Sequence, residues 1–222
     1  MRFDKLEKCI HYTFSNTELL QNALTHRSFS NKNNERLEFL GDSILNFIIA
    51  DQLYIRFAKL AEGDLSRLRA QLVKESTLAE IASSLEIGNL LYLGEGELKS
   101  AGWRRPSILA DAFEAIVGAI YLDSSFIAAQ NVVAQLFQEK LENINPKIID
   151  KDAKSMLQEY LQSKKNELPN YEVVAIEGEA HAQTFKVQCT IPKFNIIMLG
   201  EGNSRRAAEQ QAAERALAQL KL

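Results

Sequence analysis

Cysteine is nearly absent: only Cys9 and Cys189 occur, far apart and without metal-ligand spacing, which argues against a disulfide framework and suits a reducing compartment. Long apolar runs are missing too. Ile44 to Ala50 is broken by Asn46, and Ala115 to Leu122 is likewise far short of the about eighteen residues a bilayer crossing needs. The start, MRFDKLEKCI, places Arg2, Asp4, Lys5, Glu7 and Lys8 where an export signal needs an unbroken apolar stretch. These absences read as a cytoplasmic chain with no membrane span. With 10 Gly and 4 Pro there is no composition for wholesale disorder, and 46% hydrophobic against 25% charged residues is enough for a sizeable core. An excess of either charge is also lacking: 26 basic against 29 acidic residues leave a net of −3, so the chain as a whole carries no nucleic-acid footprint. Splitting the chain changes that, because residues 1–150 hold 16 basic and 20 acidic side chains while residues 151–222 hold 10 and 9.

A length of 222 residues allows one large domain or a larger and a smaller one. Up to about Leu141 apolar residues recur at three and four, which predicts an all-α region. Helices are expected over Asn16–Thr25, Asn34–Phe57, Ser66–Ser84, Pro106–Leu122 and Ile127–Leu141, with Asp64 or Ser66 as a cap and Pro106 in a first turn. Residues 143–152, NINPKIIDKD, lose the period and contain Pro146, as a linker does. Beyond them a helix is expected over Ala153–Lys164, strands over Tyr171–Glu177, Thr184–Ile191 and Asn195–Gly200, and an Ala-rich helix over Ser204–Leu220. The expected division is therefore an all-α domain at 1–142, a linker at 143–152, and a small α+β domain of order αβββα at 153–222.

Two acidic sets carry chemistry. In NERLEFLGDS, Glu35, Glu38 and Asp42 are spaced i, i+3 and i+7, which gathers three carboxylates within an arc of roughly 60°. Leu37, Leu40, Ile44 and Ile48 occupy another arc, and from Ile44 the helix is apolar on most sides, so Asp42 is expected where the helix enters the core. Asp111 and Glu114 lie at i and i+3 in SILADAFEAIVGAIYLD, whose other residues are almost all apolar. An acidic stripe is most often a solvated face. Here both sets sit on strongly apolar helices, where charge is costly unless paired or bound to a metal. If the helices pack acid to acid, Glu38, Asp42, Asp111 and Glu114 form a hard oxygen cluster suited to Mg²⁺ or Mn²⁺, with Gly41 and Gly118 permitting close approach.

The chain resembles the ribonuclease III family along nearly its whole length: ALTHRS at 23–28, NERLEFLGDS at 34–43, GDLSRLRAQLV at 63–73, SILADAFEAIVGAIYLD at 107–123, then a double-stranded-RNA-binding domain. The resemblance implies a homodimeric, Mg²⁺-dependent endonuclease that hydrolyses double-stranded RNA to 5′-phosphate and 3′-hydroxyl ends, acting on structured precursors that include ribosomal RNA. It implies that Glu38, Asp42, Asp111 and Glu114 bind metal, that Asp42 and Glu114 are the active-site pair, and that Glu35 lies nearer the RNA and dimer surface. A metal-activated water would attack phosphorus in line, with no nucleophilic side chain. His26, in ALTHRS, is assigned to packing or the dimer interface. Two departures touch a loop and the linker: Ala101 stands where a second glycine is commoner, and Ala153 where proline is frequent.

At the other end, Ser204, Arg205 and Arg206 open the last helix, where free N–H groups and two guanidinium groups can grip phosphates. The resemblance implies that this clamp spans the major groove while Gln158, Glu159 and the loop around His181 enter successive minor grooves, reading A-form shape. Two rival readings are a non-catalytic dimeric double-stranded-RNA-binding protein and a helical metal-dependent phosphohydrolase of small nucleotides.

Overall fold

In the computed structural model, residues 2–144, 153–178 and 183–220 are described. The chain divides into two units, Met1–Ile149 and Asp150–Leu222. The first is helical: α1 (Asp4–Cys9), α2 (Thr17–Ala23), α3 (Glu35–Arg56), α4 (Glu62–Leu72), α5 (Glu75–Ser84), α6 (Glu95–Lys99), α7 (Pro106–Asp123) and α8 (Phe126–Asn143). At its centre α7 packs against α3, α5, α2 and α8. Between Asp111 and Ile120 every residue of α7 is buried except Asp111 and Glu114. That pattern follows from composition, because only these two side chains in the stretch have a reason to reach water.

Glycine sets how closely α3 and α7 approach. A Cβ on Gly41 would fall 1.8 Å from the Glu114 carbonyl oxygen, and one on Gly118 2.4 Å from the Leu37 carbonyl oxygen. The two backbones thus touch where the acidic residues are.

The single helix expected over Ser66–Ser84 is two helices. Lys74, at φ −67° and ψ 150°, is extended and breaks the ladder after Leu72. The cap expected at Asp64 or Ser66 is also corrected: the helix starts earlier, after Ala61, and Asp64 in its first turn instead pairs with Arg67 at 2.8 Å. The short helices α1 and α6 escaped the periodicity, being too brief for a period to show. Pro106 takes the first turn of α7, as its fixed φ favours.

The second unit is α9 (Ala153–Ser163), β1 (Asn170–Glu177), β2 (Thr184–Ile191), β3 (Ile196–Gly202) and α10 (Arg205–Gln219). The strands form an antiparallel meander β1-β2-β3 with a bulge between Val173 and Ala175. Cys189 and Ile191 point inward from β2 and meet Leu157 and Leu161 of α9 and Ala212, Ala213 and Ala216 of α10 in one core. Alanine on α10 lets β3 lie against the helix backbone, where a Cβ on Gly200 would come within 2.2 Å of the Ala208 carbonyl oxygen. Residues 145–152, most of the expected linker, lie outside the described residues, and α8 extends to Asn143.

Candidate active site and RNA-binding face

The close packing of α3 on α7 brings Glu38, Asp111 and Glu114 together, with one carboxylate oxygen from each within 4.8 Å of the others. All three are half-buried, and among the described residues none of their carboxylates makes a hydrogen bond or ion pair. Burial, then the charges of Asp42, Glu38 and Asp111, push the Glu114 carboxyl up to about 8. Burial also raises Glu38, with Asp111, Glu35 and Asp42 adding to it and Arg27 opposing. Asp111 is raised by burial as well, against the pull of His26 and Arg27. Three acids that repel one another and form no ion pair among the described residues make a site that wants a cation. The donors are all hard oxygens, so the residues present fit a Mg²⁺-like or Mn²⁺-like ion and offer nothing to a thiophilic one.

Asp42 departs from expectation. It is exposed, not at an entry to the core, and its Oδ1 accepts a hydrogen bond from the Asn46 amide one turn on, at 2.8 Å. Its charge acts on Glu114 nonetheless, more strongly than that of Glu38 or Asp111. The buried side of α3 is Leu37, Gly41, Ile44 and Leu45 around Asp42 and widens to take in the bearing of Asp42 only further along, at Ile49 and Leu53. Glu35 is exposed and faces Arg27 at 3.5 Å, a loose pair between solvated groups that contributes little.

Beside the cluster lies a polar depression of about 350 Å³, whose lining includes His26, Arg27, Glu38, Arg105, Ser107 and Asp111. The loop carrying His26 and Arg27 is held by backbone bonds to Tyr92, from His26 N–H to its carbonyl and from its N–H to Leu24. The Ser28 hydroxyl accepts from the Gly94 N–H and meets His26 Nδ1 at 2.8 Å. His26 is thereby fixed locally while facing the acidic side. Arg105, which the sequence argument did not single out, is held by Glu97 at 2.9 Å. Its signal was available in its place just before Pro106, at the start of the helix that carries Asp111.

On the second unit, Ser204 caps α10, its side chain accepting from Ala207 N–H at 3.2 Å. Arg205 and Arg206 are exposed and share an open depression of about 600 Å³ with Gln158, Lys154, Ser155, Glu209 and Gln210. Glu159 is exposed on the next position of α9 and does not line it. His181 lies outside the described residues. Lys154 and Glu209 went unnoticed in the sequence, although each sits four residues from a predicted contact, Lys154 before Gln158 and Glu209 after Arg205.

Comparison with known proteins agrees with both halves. A family model described as Ribonuclease-III-like matches residues 16–141, and one for the double-stranded RNA binding motif matches 153–220. Ribonuclease 3 of Cupriavidus taiwanensis is 58% identical over 217 residues, covering 98% of this chain and 85% of that protein. Ribonuclease 3 of Hahella chejuensis is 54% identical over 219 residues, covering 99% and 97%. The solved nuclease domain of ribonuclease III from Campylobacter jejuni superimposes with a TM-score of 0.61 at 46% identity, over 62% of this chain and 96% of that one. None of the described helices is long and apolar enough to cross a membrane. With both modules matched in order and near-full-length relatives above half identity, this chain belongs to the ribonuclease III family and is an endoribonuclease of double-stranded RNA.

Proposed function

We propose that Glu38, Asp42, Asp111 and Glu114 hold Mg²⁺, for which Mn²⁺ substitutes, and that Asp42 and Glu114 act closest to the scissile phosphate. The observation that carries this reading is the unpaired trio of carboxylates within 4.8 Å, with Glu114 pushed up to about 8 by burial and its acidic neighbours. A bound divalent cation supplies the Lewis acidity for in-line attack of water on phosphorus, which yields 5′-phosphate and 3′-hydroxyl ends. The protein's part is to hold the carboxylates at fixed spacing on two helices whose backbones touch. Asp42 would serve as a further ligand on giving up its bond from Asn46. Arg27, across the polar depression that His26 also lines, offers positive charge to the phosphate that lies over the acids, and Glu35 marks the rim of that surface.

Domain by domain, residues 1–142 cut and residues 153–222 grip, joined through 143–152. Ser204, Arg205 and Arg206 contact phosphates across the major groove, and Gln158, Glu159 and His181 meet the minor grooves. The active form is a homodimer. Support comes from α3, where Phe39, Phe47 and Tyr54 are 78%, 61% and 73% exposed on the side away from the buried arc, an apolar stripe that a second copy would cover. The solved Campylobacter jejuni nuclease domain is itself described as having a region involved in dimer formation. We assign the protein to the cytoplasm and to the processing of structured ribosomal, messenger and transfer RNA precursors.

Glu114→Gln tests the site. It should lower cleavage of long duplex RNA in Mg²⁺ by more than about a hundredfold while duplex binding stays unchanged. Cleavage at the unmodified rate would refute the assignment.

A further inference from the structure

Among the described residues, Glu209 is the only charged side chain that is buried, at 9% exposure. It sits on α10 between Ala208 and Ala212, where an apolar side chain would fill the space without losing hydration. Its Oε1 accepts from Arg205 Nε at 2.9 Å, and its Oε2 pairs with Lys154 Nζ from α9. Lys154 is fixed further, its ammonium lying 4.6 Å from the centre of the Tyr171 ring and its backbone N–H donating to Gln210 Oε1 at 3.1 Å. Arg205 is gripped only at Nε, so its two terminal nitrogens have no partner among the described residues, and its side chain is 65% exposed. A guanidinium held from behind in this way presents the fork that suits a phosphate. Burial would raise the Glu209 carboxyl, but the hydrogen bonds from Lys154 and Arg205 outweigh it and hold it below the ordinary glutamate value, so it is ionised at neutral pH.

Charge alone opposes an acid at this spot, because it cancels positive potential on a face that meets polyanion. We propose that Glu209 is a positioning residue for RNA binding: its carboxylate holds Arg205 and Lys154 in place so that their remaining donors meet neighbouring phosphates already oriented. The inference rests on the reading of Arg205 and Arg206 as phosphate contacts, and deepens it. Order is the gain, since a long cationic side chain that is fixed beforehand loses less freedom when it binds.

The sign of one substitution separates positioning from charge. Binding of the full-length chain to an RNA duplex of about 30 base pairs is measured in EDTA across a salt series. Positioning predicts that Glu209→Gln weakens binding about five- to tenfold and flattens the salt dependence by about one unit. Tighter or unchanged binding overturns the proposal. The same substitution in a Lys154→Met, Arg205→Ala background should then change nothing, because the groups it orients are gone. A loss that persists there would mean that Glu209 merely supports the fold, and also overturns the proposal. Arg205→Ala with Arg206→Ala serves as the control. If that pair leaves affinity and salt slope unchanged, the clamp reading itself falls, whereas a weakened control beside a neutral Glu209→Gln removes only the positioning role.

Discussion

Ala101 adopts φ 54° and ψ 37°, the left-handed region where a Cβ crowds the following carbonyl. This is the position at which the resemblance called for a second glycine, and the backbone explains why: the chain turns here from α6 into the short helical turn Gly102–Arg104 that leads to α7. Ala101→Gly should stabilise the protein by about 0.5–1 kcal/mol, relief of strain exceeding the entropy that glycine adds to the unfolded chain. Thermal unfolding would show this as a rise of ~2 °C in Tm, and a fall would show that the turn tolerates alanine without strain. Asp42 teaches the complementary lesson. The spacing of Glu38 and Asp42 was legible, yet which of them turns inward depended on a few tens of degrees of helix rotation that only the packing of Gly41 against α7 sets.

Among the elements, the contact between α3 and α7 governs the site. Glycine inside a helix is costly relative to alanine by about 1 kcal/mol, so Gly41 and Gly118 must return that cost elsewhere. They do so as the contact that lets two acidic stripes converge. Gly41→Ala improves helix propensity but drives a methyl into the Glu114 carbonyl, a backbone atom that cannot rotate away. The expected outcome is a loss of about 2–3 kcal/mol, seen as a Tm lower by ~5–10 °C, together with weakened cleavage because Glu38 and Glu114 are pushed apart. Unchanged stability would mean the helices can separate freely. The break between α4 and α5 was not legible because Leu72, Val73, Leu78 and Ile81 keep a helical rhythm across it. An extended Lys74 ends the first helix without any proline or glycine to announce it.

For the whole molecule, the acidic cluster is a cost to folding that the proposed cation would remove. The Glu114 carboxyl lies at about 8 when folded against an ordinary 4.5, so the folded state holds its proton more tightly. Its contribution is then fully present below about pH 4.5 and is lost as pH rises towards 8. In EDTA the Tm of the unmodified chain should therefore fall relative to Glu114→Gln between pH 5 and 8, and a difference that stays constant with pH would contradict the raised carboxyl. Mg²⁺ or Mn²⁺ should raise Tm more at pH 8 than at pH 5.5, since metal and protons compete for the same oxygens. The proposed dimer belongs to the same scale. Beyond Ile44, α3 was read in the sequence as core because it is apolar on most sides there, yet Phe47 and Tyr54 are exposed in a single chain. Phe47→Asp with Tyr54→Asp should leave the fold intact and shift sedimentation from dimer to monomer, and a dimer that survives would place the interface elsewhere.

Local pattern carried much of this protein's reading. Helical period and strand alternation were enough to anticipate a helical unit and an αβββα unit. Carboxylates three apart on apolar helices marked the acids that the fold brings together, because charge in such a setting has to be paired or bound. Which faces meet was beyond local pattern. Helix phase depends on contacts between residues far apart in the chain, and these decided that Glu38, Asp111 and Glu114 converge while Asp42 stands at the edge, that α3 keeps an uncovered apolar side, and that Glu209 ties Arg205 to Lys154 across two helices.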